Sequence, residues 1–197
     1  MKKHALPAGL AALLCAGAAL AQPSAPPAAP GAVPSHAGAP QARPELSALP
    51  QVRLIGQARL KVWGFDVYDV RLWAQPPFNA ASVAASALAL ELNYLRNFQA
   101  ADIAERSLKE MRRSHPVSDA QAAQWKAESL RVIPDVRKGD RVTGVHRPGQ
   151  GAAFWVNGRA SGEVLDADFA RLFFGIWLSP DTSEPRLREA LLAGSGE

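Results

Sequence analysis

The sequence predicts an α+β domain in which helices pack against one side of an antiparallel sheet. Three features of the chain point to it. Residues 52 to 74 are rich in β-branched and aromatic side chains, and residues 88 to 96 alternate three leucines, a Tyr and an Arg with the other face. Residues 103 to 133 change to helical spacing, and residues 138 to 178 return to alternation before ending in a strongly apolar helical run. The resulting order, β-β-β-α-α-β-β-β-α-α, places runs of strands beside runs of helices, the arrangement of an α+β domain.

The chain opens MKKHALPAGLAALLCAGAALA. Lys2 and Lys3 precede an apolar stretch from Leu6 to Ala18, and Ala19-Leu20-Ala21 follows as an A-x-A pattern. This predicts a signal peptide cleaved before Gln22 and a periplasmic or secreted mature protein. The stretch is too short and too rich in Ala and Gly for a membrane span. Cys15 offers a second reading, as a lipidation site, against which the bulky Leu14 before it argues. Cys15 is the sole cysteine, so its removal with the leader leaves no disulfide, thiolate metal site or cysteine nucleophile. Residues 22 to 50 carry eight prolines and almost no large apolar side chains, which predicts a disordered tether before a domain spanning 51 to 194. The formal charge is +4, of which Lys2 and Lys3 supply two. No basic run with interleaved aromatics appears, so a nucleic-acid footprint is not expected. No oligomeric state follows from the sequence.

Gly64 falls in the middle of VRLIGQARLKVWGFDVYDVRLWA, which predicts two strands joined at a tight turn or one strand broken by a bulge. Pro76-Pro77 ends it, and LALELNYLR is the next strand. Ile103, Ser107, Leu108 and Met111 then recur on one helical face until His115-Pro116. Ser118, with Gln121 three residues on, opens a second helix whose apolar side holds Trp125, Leu130 and Ile133. The turn signals Pro148-Gly149 and Asn157-Gly158 divide residues 138 to 165 into a three-stranded meander. Asp166 is placed to cap the helix DADFARLFFGIWL. Ser183 is placed to cap a last one, with Pro185 in its first turn.

Few residues carry chemistry. His36, His115 and His146 have no ligand partner at metal spacing, so no metal site is expected, and no cofactor motif occurs. Asp66 and Asp69 admit an acid/base pair or two solvent-facing groups at a sheet edge. The cluster of Asp135, Arg137, Lys138, Asp140 and Arg141 reads as a solvated turn. Arg59, Tyr94 and Arg96 admit two readings. At the mouth of an apolar cleft, guanidinium and phenol would hold the head of an acidic ligand while Leu and Val cover its tail. Alternatively, Arg96 is a strand-end residue paired with Glu91 or Asp102, and Tyr94 sits on the rim.

GDRVTGVHRPGQGAAFWVNGRASGEVLDADFARLFFGIWLSPDTSEPRLREALL resembles the closing region of bacterial chalcone-isomerase-like proteins. There a strand meander, an F-x-x-x-F-x-G-I-W-L helix and a T-S-x-x-L-R-x-x-L-L helix follow one another. GQARLKVWGFDVYDVRLW is similar to that family's opening Arg-containing hairpin, and LELNYLRNFQAADIAERSLKEM to its next strand and first long helix. The resemblance implies an open-faced β-sandwich with a ligand cleft between sheet and helices. It covers plant enzymes that cyclise chalcones, non-catalytic relatives that bind fatty acids, and bacterial members. It implies that Arg59 is the arginine contacting the ligand anion, and that Thr182 and Ser183 lie near the last polar contact of the cleft. The isomerases' helix Tyr and Asn fall at Ile103 and Glu110, and their hairpin threonine at Asp66. The expectation is therefore a non-catalytic periplasmic binder of a small amphipathic acid, fatty or aromatic. The alternatives are an isomerase or lyase and an envelope protein-interaction module. Function does not follow from fold alone.

Overall fold

A computed structural model describes residues 43–196. The expected leader, and residues 22–42 of the expected tether, lie outside the described residues. Six strands form one antiparallel meander in chain order: β1 (Arg53–Val62), β2 (Phe65–Ala74), β3 (Leu88–Tyr94), β4 (Arg141–Arg147), β5 (Gly151–Val156) and β6 (Arg159–Val164). Helices α1 (Ala100–Ser114) and α2 (Asp119–Val132) interrupt it after β3, and α3 (Ala167–Leu178) and α4 (Pro185–Leu191) follow β6. The helices cover one face, here the front.

Alternation decides what each face carries. On β3, Leu88, Leu90, Leu92 and Tyr94 join the main core, while Ala89, Glu91 and Asn93 point to the reverse. Opposite them on β2, Tyr68, Val70, Leu72 and Ala74 face front, and Asp69, Arg71 and Trp73 face back. The front core is closed by Phe154 of β5 and by Phe169, Phe173, Phe174 and Trp177 of α3, whose rings meet edge-on or stacked at 5.3–5.6 Å. Burying such rings supplies most of the driving force. Gly56 lets α4 reach β1, since a Cβ there would stand 2.3 Å from the carbonyl oxygens of Ala190 and Leu191.

Of the three strand turns read from glycine, two are two-residue hairpins with positive φ at each central residue, Trp63 and Gly64, then Asn157 and Gly158; the third, with Gly149 at positive φ, joins β4 to β5. Ser118 caps α2 by accepting the Gln121 N–H, and Asp166 caps α3 by accepting that of Phe169. Asp166 also accepts the Trp125 indole N–H at 2.8 Å, tying α2 to α3.

Four expectations need correction. Ser183 does not cap α4; the cap position is Glu184, and Thr182 Oγ accepts the Glu184 N–H. Leu130 is exposed although Trp125 and Ile133 are buried, because only part of α2 meets the sheet. Arg141 is not a solvated turn residue: it is buried on the reverse face, 3.3 Å from Glu45. The tether also ends earlier than residue 50. Pro44–Ala48 is a 3-10 turn with Glu45 buried, and Leu49 packs on Ala89 and Val145. The contacts of Glu45, Leu49 and Arg141 are distant in sequence, so local composition could not show them.

Candidate functional site

At the β1–β2 turn end of the sheet, the front face and the helices stand apart and leave a cavity of about 630 Å³. That lies inside the roughly 300–1,000 Å³ typical of small-molecule sites. Its inner wall is apolar: Leu90, Leu92, Val142, Phe154, Phe173 and Trp177. Gly144 lets two rings close over the sheet at this end, because a Cβ there would meet Phe174 at 3.2 Å and Phe154 at 3.3 Å. Towards the mouth the lining becomes mixed, with Val62, Trp63 and Phe65 from the hairpin and Arg96, Asp102 and Arg106 across from it.

Two phenols mark the change from apolar to polar. Tyr68 and Tyr94 are cross-strand partners whose rings meet edge-on at 6.0 Å. The Tyr68 hydroxyl accepts the Trp177 indole N–H at 2.9 Å, so its own proton remains available. Tyr94 is 6% exposed, and its hydroxyl has no hydrogen-bond partner among the described residues. Burial pushes the Tyr68 phenol up to about 12, and burial together with neighbouring Tyr68 pushes that of Tyr94 higher still. Both therefore stay neutral hydrogen-bond donors at ordinary pH. The lining also holds Glu110, buried on α1 and ion-paired to Arg106 at 2.8 Å and Arg113 at 3.5 Å.

The structure brings Tyr94, Arg96 and Ser183 to this cavity. Arg96 pairs with neither Glu91 nor Asp102; its guanidinium lies over the Phe65 ring at 4.7 Å. Thr182 is not part of the lining: its hydroxyl donates to the Ile176 carbonyl at 2.6 Å, closing the turn after α3. Arg59 is the main correction. It projects from the reverse face, half exposed, with Asp69 at 2.6 Å and Asp66 at 3.1 Å. Those two aspartates are partly exposed at the edge of the sheet, where both pair with one guanidinium. The reason is parity. Ala58 and Leu60 share the core side of β1, so Arg59 between them must face away.

Tyr68, Gly144 and Trp177 were not singled out from the sequence. Tyr68 had a visible signal, since it alternates in phase with Val70, Leu72 and Ala74. Gly144 had none, because the rings it faces come from α3 and β5. Ile103 and Glu110, the positions aligned with the isomerases' Tyr and Asn, both line the cavity, whereas Asp66 does not.

This is an open-faced antiparallel sheet with helices on one side and an apolar cavity between. The chain belongs to the chalcone isomerase-like family, which it matches over residues 50–193. Among solved structures it is similar to a fatty-acid binding protein of Arabidopsis thaliana. The two share 13% identity at a TM-score of 0.56, over 73% of this chain and 87% of that one. No curated protein matches the chain in sequence.

Proposed function

We propose that this protein binds a small amphipathic acid, fatty or aromatic, in the front cavity without chemically changing it, and does so in the periplasm. The observation that carries the reading is an apolar cavity lined by two phenols, of which the Tyr94 hydroxyl makes no hydrogen bond to the described residues. A phenol at a cavity wall keeps its proton to donate to an oxygen-bearing head group. Tyr68, with its proton uncommitted, supplies a second donor to the same head. The tail then runs inward along Leu90, Leu92 and Phe154, past Gly144. With Arg59 on the reverse face, Arg96 and Arg106 at the mouth are the cations nearest the head group. The fatty-acid binding protein of similar fold supports the ligand class. Ile103, apolar where the isomerases carry a phenol, supports binding over cyclisation. The leader-like N-terminus supports the compartment.

The test is a titration of the purified protein with a fluorescent polyenoic fatty acid, paired with mass spectrometry of small molecules released on denaturation. Saturable binding, weakened on Tyr94→Phe, is the expected result. Absence of saturable binding, or chalcone turnover well above the spontaneous rate, sinks the reading.

A further inference from the structure

We propose that the β1–β2 hairpin tip docks on an anionic phospholipid bilayer, placing the cavity mouth against the lipid surface. Trp63 is 94% exposed and Phe65 57%, with Val62 beside them, at the tip of one hairpin. Trp63 occupies a turn position with φ +49°, where Asn or Gly is the ordinary choice and a large side chain is unfavourable. The equivalent turn at the same end of the sheet uses Asn157. A hairpin that only needed to close would not hold an indole there. Trp and Phe belong at a water–hydrocarbon boundary, where an apolar ring and, for Trp, a polar N–H are both satisfied.

Charge at this end selects the surface. The aspartates near the hairpin and the entry to β4 are already engaged. Asp66 is held by Arg59 and Lys61, and Asp140 lies beside Arg137 and accepts from the Arg137 N–H and the Asn157 amide, while Asp135 accepts the Ala100 N–H and keeps its charge. Arg96, over the Phe65 ring, and Lys138 have no carboxylate partner among the described residues. The Lys138 N–H bonds to Asn97, next to Arg96, so these cations share one edge of the mouth. Asp102 and Glu184 stand on the helix side of that mouth. A bilayer approached by the hairpin thus meets aromatic side chains flanked by Arg96 and Lys138, the combination that binds anionic lipid. Val62, Trp63 and Phe65 are also lining residues of the cavity, so docking and cargo entry share one boundary.

The test uses the whole protein in co-sedimentation with vesicles of phosphatidylcholine alone and of phosphatidylcholine with phosphatidylglycerol. It reads no cargo, so it stands or falls separately from the ligand assignment. Binding to the anionic vesicles, weakened by salt, is expected. Trp63→Asn, which suits the turn and should fold as well as the parent, is expected to weaken it about tenfold. The double variant Arg96→Gln, Lys138→Gln should abolish the preference for anionic over neutral vesicles. No vesicle binding by the parent, or equal binding by Trp63→Asn, overturns the proposal. So does a Trp63-dependent dimer in sedimentation velocity, which would make a second copy the occupant of the patch.

Discussion

The two faces of the sheet treat polar groups in opposite ways. On the reverse face, Glu91 is 1% exposed and lies between Arg43, Arg71 at 2.7 Å and Arg141 at 3.9 Å. Thr143 donates to Glu45 at 2.9 Å, and Arg141 reaches that same carboxylate. Arg59 meets its two aspartates nearby. One Glu45 oxygen and the Trp73 indole N–H on that face are buried without a hydrogen bond, so the network is ionic rather than complete. On the front face there are few polar groups, and the Tyr94 hydroxyl, at the cavity wall, makes no hydrogen bond to the described residues. Buried ion pairs serve the fold, because each charge meets its opposite within the chain. A phenol at a cavity wall keeps its proton for whatever enters. The faces therefore divide the work: the reverse holds residues 43–50 to the sheet, and the front stays open.

The largest expected effect breaks the reverse face. Glu91→Ala leaves guanidiniums from three separate segments without their shared carboxylate. Removing one member of a buried ion network is expected to lower unfolding stability by roughly 3–5 kcal/mol. Chemical denaturation measures it, and limited proteolysis should release residues 43–50 first. Fatty-acid affinity of the folded fraction should not change. If it falls tenfold, the faces are coupled and the division is wrong.

Acid probes both faces at once. Burial lowers the His146 pKa from its ordinary value near 6.5, against a hydrogen bond from Nδ1 to the Ser86 carbonyl at 3.0 Å that raises it. The folded state thus binds the proton later than the unfolded chain, so this contribution to stability is present above pH 6.5 and fades as pH falls below it. Burial pushes the Glu91 carboxyl up, but hydrogen bonds from Arg43 and Arg71 outweigh it and leave the pKa below its ordinary value near 4.5. Its contribution fades only below that pH. Denaturation midpoints across the acid range should show a first decline beginning near 6.5, absent in His146→Asn, and a second below 4.5, smaller in Glu91→Gln, with Glu105 and Asp140 supplying the remainder.

Much of this architecture was legible because it is local. Alternation gave the strands, Asn157-Gly158 a hairpin, Ser118 and Asp166 their caps, and the element order an α+β sheet. The reverse-face network was not legible, since Glu45, Glu91 and Arg141 are far apart in the chain and meet only once the sheet exists. Arg59 is more instructive. Gln57, Arg59 and Lys61 alternate with Ala58, Leu60 and Val62, so the strand's own pattern assigned Arg59 to the wet face. The resemblance moved it into the cleft, and the parity of the strand moved it back.

A smaller effect probes the front face. Tyr94→Phe removes a hydroxyl that has no protein partner, so stability should hold or rise slightly, while affinity for a carboxylic ligand should fall by roughly 0.5–1.5 kcal/mol. The chain has two tyrosines, and both are in the cavity. Native phenolate absorbance should therefore be nearly silent at pH 10 and appear only towards 12, where Tyr68 titrates. The sign follows from the raised values: the folded state keeps its phenol protons longer, so this stability is complete below pH 10 and falls as pH rises above it. Saturating ligand should delay the absorbance further. Normal titration near pH 10 would mean that the phenols are solvated and the cavity wet.

The smallest expected effect belongs to Arg59. Its guanidinium is 46% exposed, and its ion pairs to Asp69 and Asp66 lie in water, where such pairs contribute little. Replacing it with Met leaves two aspartates facing solvent, one of them still 3.3 Å from Lys61. No buried charge is stranded, in contrast to the loss of Glu91. The melting temperature should move little, and fatty-acid affinity should be that of the parent, because the side chain points away from the cavity across the thickness of the sheet. The measurement is a paired titration and melt on Arg59→Met beside the parent. Lost affinity with an unchanged melting temperature would mean that the head group is read from the reverse face of β1. The two faces would then share one site, and the contrast between an ion-paired side and a cavity-bearing side of the sheet would lose its functional meaning.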